Sequence, residues 1–162
     1  MELDAARMLQ DNRWAALATL GEDGPSASMV AFVAEPDLTG LVLFLSGLSE
    51  HTRNLSTEPR VSLVISEPDP GSGDPQTLAR LSVKGIAGKI ERDAPEFEDV
   101  WRLSLERLPD AAPRIMLADF SLFRLALTTG RNVGGFAQAG TIPLPRLSAA
   151  ACPSRGGGVA TP

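Results

Sequence analysis

The chain has 162 residues, 43% of them hydrophobic, which is enough for one domain with a real core. Its formal net charge of −5, with no arginine- or lysine-dense stretch, argues against nucleic acid or an anionic membrane as its main partner. Cys152 and His51 are the single cysteine and the single histidine, which excludes an intramolecular disulfide, a cysteine metal cluster and a multi-histidine metal site within one chain.

Residues Glu2 to Asn12 put Leu3, Ala6, Met8 and Leu9 near one helical face and predict a short leading helix. The acidic residues in this stretch do not suit a secretion signal, and no apolar run reaches the roughly 20 residues that span a bilayer, so a soluble, cytoplasmic protein is expected. Trp14 to Leu20 reads as a strand buried on both faces. The Gly21-Glu22-Asp23-Gly24-Pro25 turn makes a hairpin with a second strand, Ser26 to Ala34, in which Ser26 and Ser28 share a face with Val30 and Phe32.

After the turn Glu35 to Gly40, Leu41 to Leu45 and Arg60 to Ile65 read as two strands enclosing a short polar helix. Ser49 is placed as the N-cap of Glu50 to Thr57, and Pro59 ends that helix. The hydroxyls of Ser46, Ser49 and Thr52 and the amides of the helix's first turn gather at the end of the first strand, with His51 and Arg53 to supply positive charge. Those residue types suit an anion such as a phosphate, although a plain helix cap with a solvated Arg53 satisfies the same pattern.

Pro68 to Thr77 is too rich in proline and glycine for regular structure. Leu78 to Lys84 resumes the sheet, Gly85 and Gly88 suggest a bulge or bend, and Ile86 to Ile90 completes a long strand. Asp93-Ala94-Pro95-Glu96 has the form of a capping box, followed by an apolar face at Phe97, Val100, Trp101, Ser104 and Leu108. Phe120 to Thr128 is the closing strand, and Thr129 to Phe136, with its glycine pair, reads as a tight reversal. The domain is set at residues 1–142. Residues 143–162 read as a low-complexity, disordered tail with Cys152 exposed.

Three segments carry a resemblance: SGLSEHTRNLSTEPRVSLVI, WAALATLGEDGPSASMVAFV and VGGFAQA. In this order they resemble the pyridoxamine 5′-phosphate oxidase-like FMN-binding split barrels, and the EHTRNL and VGGF wording is nearest to the haem-utilisation (HugZ-like) branch. The implied fold is α+β, mostly β: a split β-barrel with peripheral helices. The resemblance further implies a homodimer with FMN at the seam, held by Ser28, Ser46, Ser49, His51, Thr52, Arg53 and Asn54 toward the phosphate, and by Arg80 or, more weakly, Lys84 toward the ring. Arg80 reads equally well as a surface arginine. Ser28 and Val33 stand where the family offers an arginine and a lysine, so Arg53 and His51 would have to compensate.

Three functions follow from this reading. The first is an FMN-dependent oxidoreductase acting on a small molecule, with a deazaflavin as an alternative cofactor. The second is a haem-binding or haem-utilisation protein, and the third a non-catalytic binding module. Pyridoxamine 5′-phosphate oxidase itself is disfavoured, because its C-terminal Arg-x-His pair has no counterpart here.

Overall fold

The computed structural model describes residues 2–134 and 139–151. Among these residues, seven strands and four α-helices follow in chain order: α1 (Glu2–Asp11), β1 (Trp14–Gly21), β2 (Gly24–Ala34), β3 (Gly40–Ser46), α2 (Glu50–Thr57), β4 (Arg60–Ser66), β5 (Arg80–Ile90), α3 (Phe97–Arg107), β6 (Phe120–Val133), β7 (Ala139–Pro143) and α4 (Leu144–Ala149). The strands run β3-β2-β1-β4-β5-β6-β7, and β3 also pairs with β6. That last pairing closes six antiparallel strands into a barrel and leaves β7 as an outer addition to β6. The mostly-β split barrel expected from the sequence is therefore present.

Alternation along each strand decides what fills the barrel. Ala15 and Leu17 of β1, Val30 and Phe32 of β2, Leu41, Leu43 and Leu45 of β3, Leu63 and Ile65 of β4, and Leu81 and Val83 of β5 all point inward into one buried cluster. Each fully buried leucine or phenylalanine contributes roughly 1.5–3 kcal/mol relative to exposure. A second cluster forms outside the barrel wall, where Phe97 and Val100 of α3 cover Val33, Val42, Ile90 and Leu122. The β5 strand carries the expected bulge, with the register shifting between Lys84 and Gly85. A Cβ at Gly85 would lie 2.4 Å from the Ala126 carbonyl oxygen, so the close backbone approach requires glycine there.

The structure corrects several expectations. β1 is buried on one face only: Trp14 and Leu20 point outward, and Trp14 is 57% exposed. In α1 the buried residues are Ala5, Ala6 and Leu9, and Leu3 faces solvent. Asp93 does not cap α3. Two successive turns, Ala94 N to Glu91 O and Phe97 N to Ala94 O, precede a helix that begins only at Phe97, with Glu96 at its N-terminus making no side-chain cap. The reversal expected over Thr129 to Phe136 starts later: β6 runs on to Val133 with Gly130 and Asn132 inward and Asn132 buried, and β7 then pairs antiparallel with it, Val133 opposite Ala139. Finally, residues 144–149 form α4 rather than an irregular tail, since Leu147 is 1% exposed and joins the barrel cluster. Most of the VGGFAQA segment and Cys152 lie outside the described residues.

Candidate functional site

The helix α2 lies against β1 and β2 at one end of the barrel, and its polar side chains fasten it there. Asn54 Nδ2 donates to Thr19 Oγ1 at 3.0 Å, and Thr19 is buried on the inward face of β1. A Cβ at Gly21 would fall 2.8 Å from Asn54 Oδ1, so a side chain there would make Asn54 shift from this position. Next along the inner face of β2, the Ser28 hydroxyl lies 2.9 Å from His51 Nδ1. Burial lowers the His51 pKa from its ordinary value, and the neighbouring Glu50 pulls it only partly back. The imidazole is thereby biased toward neutrality.

Two hydroxyls at the start of α2 are uncommitted. Ser49 occupies the N-cap position in extended conformation, but its side chain makes no cap hydrogen bond. Thr52 is buried, and its Oγ1 has no partner. Together with the first-turn amides these are donors that an anion can use. Two other expected donors are already engaged. Ser46 Oγ donates to Asp119 Oδ2 at 2.6 Å, which brings a carboxylate to that corner, and Gly47 N donates to the Asp119 carbonyl. Arg53 Nη1 donates to the Leu48 carbonyl at 2.6 Å and ties its own loop. Asp119 comes from the turn just before β6, far along the chain, and no local pattern could have announced it.

Arg80 and Lys84 stand elsewhere. Strand parity puts both on the outward face of β5, and β5 is separated from β2 by β4 and β1. At about 4.8 Å per strand, they lie some 14 Å or more across the wall from Ser28. Arg80 Nη1 donates to the Gln76 and Leu78 carbonyls, so it pins the loop before β5, while Lys84 is exposed. Ser28, His51, Thr52 and Asn54 thus come together where α2 packs on β1 and β2, Ser46 and Arg53 are held by their own contacts, and Arg80 and Lys84 stand apart from them within one chain.

The outward face of the same wall is apolar and uncovered. Trp14, Ala16, Ala18 and Leu20 of β1 lie beside Ala27, Met29 and Ala31 of β2 and Val64 of β4. Met29 is 48% exposed and Val64 36%. Val33, farther along β2, is buried under α3 and offers no cation.

A closed six-stranded antiparallel barrel whose third strand hands over to a short polar helix across the barrel end is the arrangement of the split-barrel proteins. The chain belongs to the pyridoxamine 5′-phosphate oxidase family, whose profile matches residues 2–134. It is 30% identical over 141 residues to the haem oxygenase HutZ of Vibrio cholerae, covering 86% of this chain and 79% of HutZ. A haem-binding protein from Mycobacterium smegmatis superposes with a TM-score of 0.78 at 30% identity over 92% of this chain, which spans 60% of that protein's length. An FAD-binding protein from Mesorhizobium loti shares the fold, with a TM-score of 0.63 at 18% identity over 81% of this chain and 94% of its own.

Proposed function

We propose that this chain is a haem-binding member of the family, working in the cytoplasm. The observation that carries this reading is the likeness to HutZ and to the Mycobacterium protein, both named for haem, at 30% identity over most of the chain. The site chemistry is compatible. Haem requires an extended apolar surface for the porphyrin, cations near its propionates, and a ligand to iron. The uncovered face around Trp14 and Met29 is such a surface, and Arg80 and Lys84 project from the same side of the barrel wall. A second copy docked on this face would complete a homodimer and shield the ligand, since an exposed apolar sheet face of this kind marks an interaction surface.

The single histidine of the sequence, His51, meets Ser28 on the inward face of β2, so within one chain it does not face a porphyrin laid on this outer surface. Flavin is the second reading, favoured by the unpartnered Thr52 hydroxyl and the uncapped Ser49, which supply donors for a phosphate at the start of α2. Bound FMN would contribute hydride chemistry at its ring, with these residues holding its phosphate. Arg53 and Ser46 weaken that reading, one spent on its own loop and the other paired with a carboxylate.

Titration of haem into the purified protein, followed by its Soret absorption, tests the proposal. Saturation at a fixed ratio of haem to chain is expected. No saturable Soret change refutes it, and FMN released on denaturation and identified by mass spectrometry establishes the second reading.

A further inference from the structure

At the barrel end opposite α2 lies a cleft of about 740 Å³, between α1, the loop that follows β4 and the far end of β6. Its size is within the usual range for small-molecule sites. The cleft is set apart by Asn132. This side chain points inward from β6, is 2% exposed, and lines the cleft, yet its carbonyl Oδ1 accepts no hydrogen bond. A buried amide oxygen with no donor is a costly arrangement that native interiors seldom tolerate.

The charged residues around it indicate what would supply the donor. Among the described residues, Asp11 of α1 and Glu67 of the loop bring carboxylates to the cleft, which Asp4 and Arg7 of α1 also line. Glu67 Oε2 accepts from Ala79 N, which fixes this carboxylate at the rim. Among the described residues these acids do not draw together into a group able to hold a metal ion. They are spread over a space suited to an extended organic cation.

We propose that this cleft binds a small organic amine, whose ammonium group donates to Asn132 Oδ1 and is balanced by Asp11 and Glu67. An ammonium carries three donors and no acceptor, so it satisfies the orphan carbonyl and gains from the carboxylates at once. The site is separate from the α2 corner and does not depend on whether the chain takes haem or flavin.

The test is isothermal titration of the full chain with putrescine, at low and physiological salt, with circular dichroism melting of each variant alongside. Saturable binding is expected, weakened at least about tenfold by Asn132→Leu, because a hydrogen bond to a charged group is worth that much or more. Asp11→Asn, a change at the exposed rim, should weaken binding as well, and it carries the test should Asn132→Leu fail to fold. Absence of saturable putrescine binding overturns the proposal, the cleft then holding water alone. Binding undiminished in both variants also overturns it, since that marks loose association with an acidic surface.

Discussion

Replacing Leu147 by alanine tests whether α4 belongs to the folded unit. The side chain is 1% exposed and packs into the barrel cluster, within a helix of only six residues that touches α1. Truncating a fully buried leucine removes its transfer free energy and leaves a cavity, and such changes cost about 2–5 kcal/mol. A short helix near the end of the fold can relax into part of that cavity, so about 3 kcal/mol is expected. For a domain of this size that is a fall in Tm of about 6–12 °C, read by thermal melting, with urea unfolding giving the free energy directly. Arg146→Ala on the exposed face of the same helix removes only a long surface ion pair to Glu2 at 3.4 Å and should stay within about 0.5 kcal/mol. A Leu147→Ala loss as small as the Arg146→Ala loss would show that α4 contributes nothing to the core.

Other consequences can be checked with similar means. Gly85→Ala drives a methyl against the Ala126 carbonyl and should cost about 1–3 kcal/mol in urea unfolding, whereas a neutral result would mean that the β5 bulge is not needed. The hydrogen bonds from Arg60 hold the Glu58 carboxyl down to about 2. Because the folded value lies below the ordinary one, this pair stabilises the fold fully above pH 4.5 and the contribution is lost as pH falls toward 2. Carboxyl NMR titration should show Arg60→Gln restoring Glu58 to the ordinary range, and an unchanged midpoint would dismiss the pairing. Burial lowers the His51 pKa, so its contribution is complete above pH 6.5 and disappears as pH falls below that value. A ring-proton titration with its midpoint at or above 6.5 would contradict that burial, and Glu50→Gln should lower the midpoint further.

Local chemistry made the strand–helix–strand core of this chain readable. Ser49 and Pro59 bracket α2 at its observed bounds, and the alternation in β2 placed Ser28 on the inward face where His51 meets it. What sequence could not supply was the partner of each polar group. Ser46 meets Asp119 across 73 positions, and Asn54 meets Thr19 across 35. Small apolar residues in β1 look the same whether or not something covers them, so the bare outer face of Trp14 was invisible in the pattern. The reversal expected over Thr129 to Phe136 begins later than its first residues suggested, because β6 continues to Val133 before pairing antiparallel with β7. The helix around Leu147 has too few turns for its periodicity to stand out.

The pairing of β3 with β6 joins Gly40 to Ala126 and Ser46 to Phe120, so most of the chain lies between the two sides of the seam. As the polypeptide leaves the ribosome, the hairpin of β1 and β2 and its pairing with β3 and β4 can form early, but the ring stays open until β6 emerges. Closure between segments so distant in sequence is slow. Until then the edge of β3 has unpaired amides and carbonyls, and the nascent protein is most vulnerable to strand-swapped aggregation in that interval.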